Sequence, residues 1–395
     1  VQRVAIIGGG PAGTIAADRL ADTFEVHLFE QGRTLGRKFL VAGEGGLNIT
    51  NSVINEELLA HYSPANFMHD ALRAFGSLEL RAWLSELGIS TYIGSSGRVF
   101  PERVIKPAEV LKAIITRIKE KGVRIHTGHR FVGFDVEARP MIEHAGVRTL
   151  VEADRYLFAL GGASWSKTGS TGEWIEHFGK LGVALVPFQA SNCGVEASMP
   201  ETLRVHAGKP LKNIAVSCGE RRIRGEVMIT STGLEGNAIY PIVPLLREGL
   251  SNSLQVEIVI DLKPDLSTEQ LEHKLQGAAW KERVAALRLD RAAVALLKGF
   301  TPLQRYLDGR TLAHDVKNVH VPITGLRSME EAISTVGGVA MDEIAADLSL
   351  KKYPHLFVAG EMLDWDAPTG GFLLQGAFSL GNWAAQGIAA SCRSV

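Results

Sequence analysis

The chain has little cysteine, no long apolar run and no excess of either charge. Its three cysteines, Cys193, Cys218 and Cys392, are odd in number and far apart in 395 residues. That excludes a disulfide framework and a cysteine-built zinc site, and it fits a reducing, cytoplasmic setting. No C-x-x-C pair occurs, so a dithiol relay is excluded as well. No stretch reaches the roughly 18 apolar residues of a membrane span. The opening VQRVAIIGGG lacks the charged, apolar and cleavage regions of a secretory signal and runs straight into a strand pattern. With 42 basic and 43 acidic residues the formal net charge is -1, which argues against a dedicated nucleic-acid partner. What remains is an ordinary globular composition, 46% hydrophobic. The length suits two domains, or one domain with a large insertion.

Glycine, by contrast, is placed with a purpose. VAIIGGGPAGTIAADRL reads as a buried strand, a turn and a helix, with Gly8, Gly10 and Gly13 in the G-x-G-x-x-G spacing around Pro11 and Ala12. The first glycine permits the tight turn, the second lets backbone approach a pyrophosphate, and the third lets helix and strand pack closely. FEVHLFE follows as an alternating strand ending in Glu30, 22 residues after Gly8, with Gln31 next. An acid there accepts hydrogen bonds from a ribose. The combination predicts a bound dinucleotide.

The next segment, QGRTLGRKFLVAGEGGLNITN, carries Gly36, Gly43, Gly45 and Gly46. It reads as a backbone path hugging a ligand. Arg37 and Lys38 are candidates for neutralising phosphates, and Asn48, Thr50 and Asn51 supply neutral donors and acceptors for a flavin ring. Near the other end stands GEMLDWDAPTGG. Gly360, Glu361 and Asp364 suit the ribityl–pyrophosphate region. Gly370 and Gly371, before Phe372 and Leu373, would aim a helix N-terminus at the flavin pyrimidine. The two chain ends are therefore expected to meet at one FAD site.

Between the ends, residues 52–88 read as helical and SGRVFPER as a loop. A helix runs from Pro107 to the stop at Gly122, with Val110, Leu111, Ile114, Ile115 and Ile118 on one stripe. Short strands follow, with Val132 in FVGFDVE and Leu160, Gly161 and Gly162 closing RYLFALGG; these four complete the expected cofactor set. The expected fold class is α/β, a Rossmann-type FAD-binding domain with an inserted β-barrel-like domain that carries a helical subdomain. Its boundaries are 1–185 and 336–395 for the FAD domain, 186–263 and 318–335 for the inserted β domain, and 264–317 for the helices, which open on a Ser267–Gln270 capping box.

The ordered set GGGPAG, GRKFLVAGEGGLNITN, GRVFP, ALGGASW, TVGGV and GEMLDWDAPTGG resembles the BaiN/YhiN-like, or aminoacetone-oxidase-like, bacterial FAD-dependent flavoproteins over nearly the whole chain. The resemblance implies a Rossmann-type FAD domain with an inserted barrel. It also implies redox chemistry of the kinds found in that family, reduction of steroid-like enones and amine oxidation. Two positions depart from the commoner pattern: Leu47 precedes Asn48 where many relatives have cysteine, and Phe372-Leu373 stand where many have Tyr-Asn.

The reading of function is an FAD-dependent oxidoreductase moving hydride between flavin N5 and a small organic substrate. NAD(P)H is a possible transient donor, since no second G-x-G-x-x-G marks a nucleotide domain for it. Arg98 and Lys106 are the candidate catalytic cations, able to anchor an anionic or carbonyl group; pairing of Arg98 with a carboxylate or phosphate is the alternative. Trp165 either walls the pocket or belongs to the core. His126 and His129 have no companion ligands, so no metal is expected. The alternatives are an oxidase of small amines using O2, a flavoprotein acting on tRNA, for which Lys209, Lys212, Arg221, Arg222 and Arg224 speak, and a flavin-binding sensor without turnover. No membrane partner is expected, and oligomeric state is not encoded in any motif.

Overall fold

A computed structural model of the chain describes residues 1–42, 46–94, 96–276 and 278–393. It divides into two compact units, Val1–Gln189 with Ser334–Val395, and Ala190–Ile333.

The first unit is built on a six-stranded sheet in the order Ser349–Leu350, Tyr353–Val358, Arg155–Phe158, Arg3–Ile7, Glu25–Glu30, Arg124–Thr127. The last five run parallel and the short edge strand is antiparallel. Arg3–Ile7 is central, and Val4, Ala5 and Ile6 are fully buried. That continuous burial is what a parallel strand covered on both faces requires, and it explains the unbroken VAII run. The chain leaves this strand toward Glu25–Glu30 on one side and later returns through Arg155–Phe158 on the other. The order therefore reverses beside Arg3–Ile7, which opens a crevice at the carboxyl ends of the strands.

Helix Pro11–Leu20 covers one face, together with the terminal helix Phe372–Arg393. Their contact is close: a side-chain carbon at Gly381 would lie 2.2 Å from the Ala12 carbonyl oxygen. Helix Pro107–Glu120 takes its stripe from the sequence, with Val110, Leu111, Ile114 and Ile118 buried. On the sheet's other face lies the meander Arg130–Phe134, Pro140–His144 and Val147–Leu150. The segment GRVFP, expected as loop, is instead the middle strand (Arg98–Pro101) of a small sheet between Thr50–Asn51 and Thr91–Ile93. Neighbours on both sides satisfy its backbone, and Val99 is fully buried, which a solvated loop would not give.

The second unit is a closed antiparallel barrel in the order Val195–Ala197, Gly233–Glu235, Arg221–Ile229, Pro210–Cys218, Val256–Asp261, Val319–Leu326. Closure leaves it no free edge. Among the described residues, five helices from Thr268 to Lys317 belong to the same unit, and Leu271, Leu296 and Leu312 share one apolar core with Val216, Ile258 and Val321. The helical stretch opens as expected: Ser267 Oγ accepts Gln270 N–H at 3.2 Å and Gln270 Oε1 accepts Ser267 N–H at 2.9 Å. Among the described residues no helix is long and apolar enough to cross a membrane.

Candidate cofactor and substrate site

The first turn of the crevice is set by the spacing of its glycines. Gly8 N–H donates to Phe29 O at 2.8 Å. A side-chain carbon at Gly13 would fall 2.0 Å from the Gly8 carbonyl oxygen, so helix Pro11–Leu20 seats on the turn only with glycine there. Gly10 is different: a side-chain carbon at that position meets nothing within 4 Å. Gly10 is the extended N-cap of the helix, makes no side-chain capping bond, and is followed by a first turn without acidic residues. An open face over an uncapped helix N-terminus suits the phosphates of a dinucleotide, which supply both the acceptors and the negative charge that end lacks. Pro11 occupies the first helical position and Ala12 is buried beneath.

Glu30 ends its strand with one carboxylate oxygen 2.9 Å from Gly9 N and the other 2.7 Å from Gly32 N. These bonds fix the acid beside the turn, and each oxygen keeps a further lone pair for a ribose hydroxyl. Gln31 donates to Gly169 O. Val132 is the extra residue of a β-bulge between Phe131 and Gly133, which leaves its backbone outside the ladder.

A second cluster joins four segments. Lys38 Nζ lies 2.8 Å from Glu361 and 2.7 Å from Ser164 Oγ. The same carboxylate accepts Thr335 N–H at 3.2 Å and Gly162 N–H at 3.4 Å. Lys38 therefore has its charge matched inside the protein, and Glu361 acts as the knot of the crevice wall. Arg37 is exposed and donates to Lys167 O at 3.0 Å. Leu160 and Gly161 are half-buried where the strand Arg155–Phe158 ends. The wall then continues through Trp165, whose backbone is left-handed at φ 58°.

The stretch from Gly360 to Leu373 forms the third side. Trp365 Nε1 donates to Gly360 O at 2.8 Å, and Asp364 accepts Gly337 N–H at 3.0 Å. Gly371 has φ +94°, and a side-chain carbon there would lie 2.3 Å from Thr50 O, so only glycine lets the terminal helix begin against that strand. Asn51 Nδ2 donates to Gly370 O at 3.2 Å and Tyr62 Oη to Phe372 O at 2.7 Å. Burial pushes the Tyr62 phenol well above its ordinary range, so it stays a neutral donor. Thr50 Oγ1 donates to Gln375 Oε1 at 2.6 Å, and Gln375 Nε2 donates in turn to Phe75 O at 2.9 Å. His61 stacks on Phe372 with ring centroids 4.0 Å apart. Leu373 is half-buried beside it. The first turn of this helix carries no acid, so its positive end is free to face developing negative charge.

Of the four buried polar side-chain atoms without a partner among the described residues, two belong to segments assigned to the cofactor crevice: Asn48 Oδ1 and Trp165 Nε1. A buried orphan acceptor and a buried orphan donor cost stability unless a ligand satisfies them. A flavin pyrimidine ring carries both complementary groups, so these residues fit it.

The two candidate cations separate. Arg98 lies opposite Asn51 in the small sheet, and its Nε is 4.0 Å from where a side chain at Gly370 would begin. It is half-buried, and no carboxylate partner pairs with it among the described residues. Lys106 is exposed at the N-cap of helix Pro107–Glu120, where its backbone N–H donates to Glu109 at 2.6 Å. Gly43 and Gly45 lie outside the described residues. Sequence reasoning missed Ser164, Thr335, Tyr62 and Gln375. Thr335 and Ser164 stand in motifs already noted, TVGGV and ALGGASW; Ser164, Tyr62 and Gln375 act through partners more than a hundred residues away.

The chain matches the HI0933-like protein Rossmann domain over residues 2–387. It is 24% identical to the 3-dehydro-bile acid delta(4,6)-reductase of Clostridium scindens, across 98% of this chain and 99% of that protein. It is 22% identical to the ribosomal RNA dihydrouridine synthase of Escherichia coli, across 98% of each. Among solved structures, the 3-ketosteroid delta1-dehydrogenase from Sterolibacterium denitrificans superposes with a TM-score of 0.52 at 12% identity, covering 99% of this chain and 100% of that one. That last likeness is one of fold.

Proposed function

The chain belongs to the HI0933-like family of FAD-dependent oxidoreductases, and we propose that it reduces a carbon–carbon double bond conjugated to a carbonyl in a small organic molecule. The crevice residues would hold FAD, which when bound would supply hydride chemistry, with NAD(P)H as its donor. The observation that carries this reading is Arg98. A half-buried guanidinium without a carboxylate partner among the described residues, beside the turn that starts the terminal helix, is suited to hold the substrate carbonyl oxygen. As hydride reaches the β-carbon, negative charge grows on that oxygen, and Arg98 stabilises it more than it stabilises the ground state. A proton from solvent then completes the α-carbon. The terminal helix N-terminus contributes a fixed partial positive charge at the crevice.

Two relatives support the reaction type, since a delta(4,6)-reductase and a dihydrouridine synthase both saturate a double bond in a carbonyl-bearing ring. Test it by anaerobic reduction with NADH or NADPH, then addition of a cyclic enone. Reoxidation of the flavin by the enone supports the reading. Oxygen consumption driven by amines, with no response to NAD(P)H, overturns it in favour of an oxidase.

A second reading has its own observation, the dihydrouridine synthase likeness across 98% of both chains. In it the reduced ring is a uridine of ribosomal RNA. Within the barrel, however, Arg222 and Arg224 are tied to Asp261 and Asp265, which lowers the charge available to phosphates. Loss of dihydrouridine from ribosomal RNA on deletion of the gene would select this second reading.

A further inference from the structure

The small three-stranded sheet has two unlike faces. Along Arg98–Pro101 the burial alternates: Val99 is fully buried, whereas Arg98 and Phe100 stand together on the opposite face, both half-buried. Tyr92 lies directly across from Phe100 on the neighbouring strand, and the two rings stack with centroids 5.7 Å apart and planes 27° apart. The Arg103 guanidinium lies over the Tyr92 ring at 5.9 Å, a contact that helps hold the pair in place.

Glycines border this row of side chains. A side-chain carbon at Gly46 would lie 3.6 Å from Phe100 Cε1, and one at Gly94 would lie 3.3 Å from Phe100 Cε2. Neither position carries a side chain to shield the ring. Gly370 plays the same part for Arg98: a side-chain carbon there would be 4.0 Å from Arg98 Nε and 3.3 Å from the Phe372 ring. Three missing side chains thus leave room beside Phe372, Arg98 and Phe100. Asn51, across from Arg98, is committed elsewhere, since its Nδ2 donates to Gly370 O at 3.2 Å and its Oδ1 accepts Val53 N–H at 3.3 Å. The face therefore offers a cation at one end and an uncovered aromatic ring at the other.

We infer that Phe100, backed by Tyr92, is a specificity-determining residue of the reaction proposed above: it stacks a flat second ring of the substrate while Arg98 holds the carbonyl oxygen of the first. The inference rests on that reading of Arg98. Residues two apart on one strand face stand about 7 Å from each other. A single ring hung from Arg98 by its carbonyl falls short of Phe100, and a fused bicycle reaches it. Stacking also selects for flatness, because a planar ring lays its whole face on the phenyl group and a puckered one touches it with a few hydrogens. The substrate class is then a fused bicyclic enone whose second ring is planar.

The test is a saturation-transfer NMR titration of the oxidised, flavin-loaded protein with two ketones of one carbon skeleton. In 2-tetralone the second ring is flat, and in trans-2-decalone it is puckered. Neither has a double bond conjugated to its carbonyl, so binding is read without turnover. The native protein should bind 2-tetralone in roughly the millimolar range or tighter, and prefer it to the decalone by about fivefold to tenfold. Phe100→Leu keeps an apolar side chain but no ring and should erase that preference, whereas Phe100→Tyr should keep it. Arg98→Ala should weaken both ketones by similar factors. Flavin content and circular dichroism equal to those of the native chain establish that each variant is folded. Equal binding of the two ketones by the native protein, a preference that survives Phe100→Leu, or uridine bound more tightly than 2-tetralone would each overturn the inference. A preference for 2-tetralone that depends on Phe100 supports it even where no enone is reduced, and in that case the reductase reading alone fails.

Discussion

Lys38 and Glu361 stand 323 residues apart in sequence, and their charged atoms are 2.8 Å apart in the crevice wall. Glu361 also holds the backbone N–H groups of Gly162 and Thr335, so one carboxylate ties four separate segments around the cofactor crevice. Glu361→Gln keeps the shape but leaves Lys38 without its counter-charge. The expected outcome is a lower flavin-to-protein ratio after purification. The flavin-free protein should lose about 1–2 kcal/mol of stability in urea titration, a range set by the partial exposure of both side chains.

Gly10 separates binding from folding. Its side-chain position is open, and its backbone is extended at φ -80°. Gly10→Ala should therefore leave the flavin-free protein within about 0.5–1 kcal/mol of the native chain. It should nevertheless weaken FAD binding by roughly tenfold or more, because the added methyl occupies the approach to the phosphates. Fluorescence titration of FAD into the stripped proteins measures both quantities against one reference.

Gly371 predicts the opposite pairing. With φ +94° and Thr50 O in the way of any side chain, Gly371→Ala should destabilise the flavin-free protein itself by about 1–3 kcal/mol. The first turn of the terminal helix has to move, so flavin occupancy should fall along with the thermal midpoint.

The local chemistry of the site was legible in the sequence, and the long-range part was not. Gly8, Gly10, Gly13 and Glu30 could be read because strand, turn, helix and acid follow one another within a few dozen residues, with Gly8 and Gly13 sterically required and Gly10 left open toward the ligand. Helix Pro107–Glu120 could be read from its stripe. GRVFP could not: the four-residue strand Arg98–Pro101 has too few positions to show an alternation, and its partner Thr50–Asn51 lies far back in the chain. Glu361 was noticed as an acid beside a glycine, but its partners Lys38, Gly162 and Thr335 are fixed only by tertiary packing. The orphan atoms of Asn48 and Trp165 belong to the same category, because a missing hydrogen bond exists only once every neighbour is placed.

Arg98 should act on the reaction without acting on flavin retention. Arg98→Ala should keep a native visible spectrum and lower kcat/KM for an enone by about 10²–10³, with Arg98→Lys recovering part of the loss. A loss of flavin equal to the loss of rate would assign Arg98 to cofactor binding instead.

The pH dependence of stability has a local source in the stack around His126. Burial, then the neighbouring His27, His129 and Arg124, hold the His126 imidazole below its ordinary value of 6.5. His27 Nδ1 is 3.1 Å from His126 Nε2. The unfolded chain therefore binds this proton first. Stability should fall as pH drops from about 6.5 toward the depressed folded value, and change no further from this source below it. His126→Asn should flatten that part of the urea-midpoint profile; an unchanged slope would place the sensitivity elsewhere.

The most direct test of the central claim is an anaerobic visible spectrum of the purified protein through two additions, first NADH or NADPH and then a cyclic enone. Flavin bands that bleach with a nicotinamide nucleotide and return with the enone are the predicted result. Flavin that bleaches and stays reduced in the presence of enones, or that responds only to amines, would contradict the account.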